Sequence, residues 1–286
     1  SEITPGFLNE WNTNYLPEII SNNLKLKEFS VSSNSDSLAA DLDQTVKIMQ
    51  RHYYIHFLVI FTLFGATERF SNHYELITGS TDTVKPYELL QGSSNKSIEA
   101  SEELYNIAQL IKSNQTLNNI FSQTNIRSIR RALRDHPMGE NVDQEIDSYL
   151  ELFGYRSISE DISSKLWIED PAYPLMTIRS YVSGPERDFS AELGAKKQLS
   201  VENFESLLAQ ASKNPEINLD DLKSSMNEAK ILWPLREDHA YYIDQQSWAL
   251  TRLVVLKCAN ELVQKGVIKN SNDIFHLQVN EIKEGL

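Results

Sequence analysis

Over most of its length this chain places an apolar residue at every third or fourth position, and the residues that break such a pattern are scarce, with 10 glycines and 9 prolines among 286. A period near 3.6 belongs to helices, so the pattern predicts an all-α fold: an irregular multi-helix domain with long helices, a structured loop segment and little or no β. The length suffices to bury a sizeable core. The single cysteine, Cys258, has no internal partner for a disulfide. Apolar runs stop short of the roughly 18–20 residues that cross a bilayer. With 27 Lys+Arg against 40 Asp+Glu, the formal charge of −13 repels nucleic-acid backbones. The opening residues, 1–6, have neither the basic nor the apolar part of a secretory signal. The expectation is a cytoplasmic protein in a reducing compartment, with neither nucleic acid nor membrane as partner.

The first strong helical segment is predicted over 36–76, with Leu38, Leu42, Val46, Met49, Tyr53, Phe57 and Ile60 along it. Over 53–64 nearly every residue is apolar or aromatic, which predicts burial on all sides. A short helical turn is expected at 86–90 and a helix over 96–112, followed by shorter ones over 117–121, 126–133 and 142–153, the last stopped by Gly154. Residues 155–175 scatter Arg156, Glu160, Asp161, Glu169 and Asp170 among bulky apolar residues and predict an ordered loop. Helices resume over 175–181, 185–212 and 219–233, with 184–233 a candidate arm on a single helical domain spanning 1–286. A last long helix is expected over 236–265, closed by Gly266.

Three constellations offer chemistry. His52 and His56 lie four apart on one helix, a spacing that can hold a metal, yet no acidic residue completes the set locally; no metal is expected, and packed or pocket-lining histidines are the preferred reading. Arg236, Glu237, Asp238 and His239 open the last helix. The acidic pair suits a first turn, while Arg236 and His239 on one face offer an anion contact and a proton exchanger. The stretch 89–97, with Gln91, Gly92 and Asn95, leads into a helix and reads either as a cap or as a loop that binds a ligand through backbone N–H groups. Phosphate-binding glycine loops and a nucleophile elbow are absent from the sequence.

Taken in order, Arg51-His52-Tyr53-Tyr54-Ile55-His56-Phe57 with Glu68-Arg69-Phe70, Leu89-Leu90-Gln91-Gly92 through Glu99, Phe153-Gly154-Tyr155-Arg156 with Trp167-Ile168-Glu169-Asp170-Pro171, and Arg236-Glu237-Asp238-His239 with Tyr242-Ile243-Asp244 cover nearly the whole chain. This series resembles the central region of phosphoenolpyruvate-utilising enzymes of the rifampicin phosphotransferase and phosphoenolpyruvate-synthase-like group. The resemblance implies a helical, phosphoryl-acceptor-binding domain, in a longer chain or as a separate subunit. It also implies ATP-grasp and swivelling phosphohistidine domains as partners in cis or trans, with ATP and Mg on those partners and no cofactor bound by this chain alone. The sequence shows neither an ATP-grasp pattern nor a phosphohistidine loop, so activity with ATP is not expected of this chain by itself. Its 155–162 loop also lacks the second glycine that many relatives carry after the arginine.

On that footing the acceptor is expected to be a hydrophobic small molecule, such as an antibiotic or a biosynthetic intermediate. Arg51, Arg156 and Arg236 are candidate anion contacts, and His52, His56 and His239 candidates for polarising or deprotonating an acceptor hydroxyl. Tyr53, Phe57, Phe61, Tyr242 and Trp248 are candidate pocket walls, with Gln91, Asn95 and Glu237 as polar contacts. Two alternatives stand beside this reading: a non-catalytic scaffold subunit, and a standalone enzyme of the same fold catalysing ATP-independent dehydration, condensation or isomerisation.

Overall fold

The structure, a computed structural model, describes residues 3–159 and 161–286. Ser1, Glu2 and Glu160, the last an acidic residue of the expected loop, lie outside the described residues. The fold is all-α. Its helices in chain order are α1 Ile3–Glu10, α2 Leu16–Ser32, α3 Leu38–Thr78, α4 Lys85–Glu88, α5 Lys96–Lys112, α6 Gln115–Gln123, α7 Ile129–Arg134, α8 Glu140–Phe153, α9 Ala172–Ser183, α10 Phe189–Ala211, α11 Leu219–Leu232, α12 Leu235–His239, α13 Trp248–Gln264 and α14 Val279–Gly285. Among the described residues the β-structure is one isolated bridge, Ser157 to Leu166. No helix among them is long and apolar enough to cross a membrane.

The chain divides into two compact units. The first comprises Tyr53–Lys96, Arg187–Ala240 and the described part of Ser1–Ile19; the second comprises Ile20–His52, Ser97–Glu186 and Tyr241–Leu286.

In the first unit, α3 buries one stripe, Ile55, Val59, Leu63 and Phe70, at helical spacing. The expectation that 53–64 is buried on every side is not met: Tyr53, Tyr54, Phe57, Phe61 and Phe64 are exposed, Phe61 to 71%. Apolar residues all round a helix show that both faces are sticky, not that both are covered. Phe70, Leu89 and Leu90 share a core with Leu207, Ala211, Leu222, Met226 and Ala229, which brings α10 and α11 onto the end of α3. Full burial of one such large side chain is worth about 1.5–3 kcal/mol. Polar groups fix the register. Arg69 on α3 pairs with Glu228 (3.1 Å) and with Asp221, both on α11. His73 Nε2 lies 3.1 Å from Asp221.

The loop after α4 is tied to α10 by the hydroxyl of buried Ser200, which donates to the Leu89 carbonyl while Lys230 Nζ donates to it (3.0 Å). Gly92 sits here at φ +104°, and a Cβ would fall 2.6 Å from the Lys197 backbone. Both facts demand glycine. Gly92→Ala is expected to lower stability by about 2 kcal/mol or more in urea melts.

In the second unit, α5 to α9 enclose a core of Leu104, Ile111, Phe121, Leu133, Ile146 and Phe153, with Tyr241 packed in from the later chain. Asp143 on α8 is buried and accepts from Arg130 and Arg134 of α7, each at 2.6 Å. Burial alone would raise its carboxyl pKa; the two guanidinium groups hold it below the ordinary range instead. The loop expected over 155–175 is ordered over 155–159 and 161–171 and ends earlier than expected, because α9 begins at Ala172. Trp167 N–H donates to the Arg156 carbonyl (2.7 Å) and Ile168 N–H to that of Gly154 (2.9 Å). Arg252 of α13 grips Glu169 with two bonds, 2.9 and 3.0 Å, and donates to the Ile162 carbonyl (2.8 Å).

The expected single helix over 236–265 is instead α12, a π-helical stretch Ala240–Ser247, and α13. Periodicity locates such a region but misses a change in turn width. Gly266 does end it, at φ +72°, with Gly266 N–H bonded to Val263 O and Val267 N–H to Leu262 O. On the buried face of α13, Cys258 packs with Leu42, Leu262 and Ile274.

Candidate functional site

In the first unit the rings of His56 and His239 lie 5.1 Å apart between centroids. His56 comes from the face of α3 that also carries Tyr53 and Phe57, and His239 from the end of α12. His239 is 2% exposed. Its Nδ1 contacts the Leu235 carbonyl, which can only accept, so the proton is on Nδ1 and the Nε2 lone pair is the basic one. Burial, reinforced by His56, pushes its pKa down to about 4 against the opposing pull of the Leu235 bond. The imidazole is therefore neutral near pH 7.

That shift has a sign. Between the unfolded value of 6.5 and about 4, the unfolded chain takes up a proton that the folded chain does not. Stability should fall as pH drops through this window, by roughly 1.4 kcal/mol per pH unit and about 3 kcal/mol in all. Denaturant melts at pH 7 and pH 4.5 should show the loss, reduced in His239→Asn.

The aromatic residues predicted as walls form a ladder along α3. Tyr53 and Phe57 are 6.4 Å apart, and Phe57 and Phe61 stack at 6.1 Å. Arg236 lies over the Trp233 ring at 5.3 Å and 3.9 Å from Glu237. The loop with Gln91 and Asn95 meets α12 through Lys96, whose N–H donates to Asp238 Oδ1 (3.2 Å). One N–H at the start of α5 is thus taken by a carboxylate of α12.

The remaining predicted residues, Arg51, His52, Arg156, Tyr242 and Trp248, belong to the second unit. His52 is fully buried, with Ser247 Oγ 2.8 Å from Nδ1 and Asn22 Nδ2 3.3 Å from Nε2. Ser247 donates in turn to Asn23 (2.7 Å), and Asn23 donates to the Tyr242 carbonyl (2.9 Å). This is a packed polar network, in keeping with the reading of His52 as a core histidine. Arg156 donates to Gln245 (2.6 Å) and lies over Phe153 and Trp167, 5.6 and 5.7 Å from their ring centres. Sequence reasoning missed Asn22, Asn23 and Ser247. Nothing in an apolar period marks a buried amide or hydroxyl.

Comparison with known proteins places this geometry in a family context. A family model described as the rifampicin phosphotransferase fourth domain matches residues 58–237. The chain is similar to chondramide synthase cmdD of Chondromyces crocatus, 25% identical over 277 residues, which is 95% of this chain and 7% of that protein. It is also similar to the uncharacterized phosphotransferase YvkC of Bacillus subtilis (strain 168), 26% identical over 241 residues, 82% of this chain and 28% of that protein. Rifampicin phosphotransferase of Bacillus cereus is 30% identical over 162 residues, 51% of this chain and 17% of that protein. The chain thus spans less than a third of the length of each of these relatives.

Proposed function

This chain belongs to the rifampicin phosphotransferase fourth-domain family, and from that premise we propose that it binds the acceptor in a phosphohistidine-relay phosphotransferase. The observation that carries the reading is the pairing, within one unit, of an exposed aromatic ladder with a neutral buried histidine. Tyr53, Phe57 and Phe61 hold the apolar body of a small molecule, an antibiotic or a biosynthetic intermediate, as the names of the Bacillus cereus and Chondromyces crocatus relatives suggest.

The acceptor hydroxyl faces His239 Nε2, which takes its proton as the oxygen bonds to phosphorus and the donor's bond to phosphorus breaks. A weakly basic imidazole becomes a better proton acceptor once an incoming phosphoryl group sets negative charge beside it. Arg236 offers that group a positive charge, with Gln91, Asn95 and Glu237 as polar contacts in the same unit. ATP and Mg are held by partner domains, in cis or in trans. Phosphoryl transfer asks mostly for positioning and charge neutralisation, which a helical platform can supply.

Titration of the chain with rifampicin and other hydrophobic hydroxyl compounds tests the reading. Binding should be saturable and fall about tenfold or more in Phe57→Ala/Phe61→Ala, which removes two exposed rings and leaves the core intact. Affinity unchanged by that variant would refute it. The exposure of Phe61 equally suits a surface that docks partner domains. Loss of partner copurification in the same variant, with no acceptor bound by the parent chain, would favour the scaffold reading.

A further inference from the structure

Arginine is concentrated in one short stretch of this acidic chain, with Arg127, Arg130, Arg131 and Arg134 falling within eight residues. In the second unit, three of them join Lys165 of the loop and the first turn of α9 around a cavity of about 420 Å³. That volume suits a small molecule.

Internal carboxylates do not use up this charge. Arg130 is consumed, with Nε on Asp143 (2.6 Å) and a terminal nitrogen 2.8 Å from Asp147. Arg134 gives only its Nε to Asp143. Arg127, with its side chain 78% exposed, comes no closer than 3.8 Å to Asp170, whose other oxygen accepts from Ala172 N–H (3.2 Å). Lys165 acts on Glu169 through its charge, without a hydrogen bond or close ion pair to it among the described residues. Glu169, also in the lining, is held by Arg252 and by Leu166 N–H (2.9 Å). Cationic donors are thus left facing one concavity from α7, from the turn before it and from the loop, and the positive end of α9 adds to them.

We propose that this cavity binds the phosphate or pyrophosphate group of a small molecule, held by Arg127, Arg134 and Lys165. Three donors from two separate stretches of chain match a multiply charged oxyanion better than a single carboxylate, since Asp170 already lies in the lining without closing on Arg127. A concave site on a chain of charge −13 argues against a long polyanion, which the rest of the molecule repels. The inference does not rest on the acceptor reading.

The test is titration of the full chain with sodium pyrophosphate at low ionic strength, by calorimetry and amide chemical shifts. Saturable one-site binding is expected, with shifts at 127–134 and 165. Arg127→Glu/Lys165→Glu should weaken it roughly tenfold or more, as two charge-assisted contacts are lost. Arg131→Glu should leave it within about twofold, because that side chain, 88% exposed, is outside the lining. No saturation at millimolar pyrophosphate overturns the proposal. So does an equal loss in the Arg131 variant, which would mean diffuse charge attraction, or binding of heparin or an acidic peptide but not pyrophosphate, which would mean a macromolecular surface. Should the double charge reversal fail to fold, Lys165→Met carries the test, with weakening of about threefold expected and an unchanged affinity overturning the site.

Discussion

Replacing His239 with asparagine, in a chain joined to its phosphoryl-transfer partner domains, is expected to reduce acceptor-dependent turnover by about 10²-fold or more, the contribution of a positioned general base. Asparagine retains a donor where Nδ1–H meets the Leu235 carbonyl, so the local hydrogen bond survives while the Nε2 lone pair is lost. The loss should therefore fall on kcat, with KM and the melting temperature little changed. Turnover within about threefold of the parent would remove His239 from the chemistry. The pH profile gives an independent readout, because a neutral base governs activity only above its own pKa. Acid loss of activity in the parent should follow the low pKa of this buried imidazole and disappear from the residual activity of the variant.

The second large effect concerns stability. Arg252→Met removes a buried guanidinium and leaves Glu169, which is partly exposed, without its two-point partner; the cost should be about 2 kcal/mol, below that of a fully buried pair. For a chain of this size that is a fall of roughly 5 °C in Tm. Converting Glu169 to glutamine in the same chain should recover part of the loss, since no unpaired charge then faces the site. Acid offers a third check. Burial pushes the Glu169 carboxyl pKa up, but Arg252 and the Leu166 N–H outweigh it and hold the group below its ordinary value. The contribution is thus present above the usual carboxylate range and lost as pH falls through the lowered pKa. The variant should lack this acid-sensitive component.

Helical periodicity sufficed for α3, α5, α8, α10 and α11, because each buries a regular stripe whose spacing shows in the sequence. It gave no assignment for α1 and α2, where Pro5, Gly6 and Pro17 interrupt the pattern among many asparagines and serines. The Phe57 and Phe61 side of α3 shows the limit of composition: a buried ring and an exposed ring are the same letter. Of the candidate site, His56 and His239 could be named because histidines are few, while the partners of His52 could not. Asn22, Asn23 and Ser247 matter through contacts 30 to 224 residues away along the chain, which no local pattern encodes. Arg252 was hidden in the same way, as a charged letter inside an apolar helix.

The lone thiol of Cys258 offers a use of its own. Fully enclosed on the inner face of α13, with burial pushing its pKa up to about 11, it presents almost no thiolate to a reagent while the helix stays seated. Alkylation therefore has to wait for α13 to lift, and its rate at rising denaturant reads the opening free energy of that segment. One thiol per chain makes the modified fraction, weighed by mass spectrometry, a direct count of molecules that have opened.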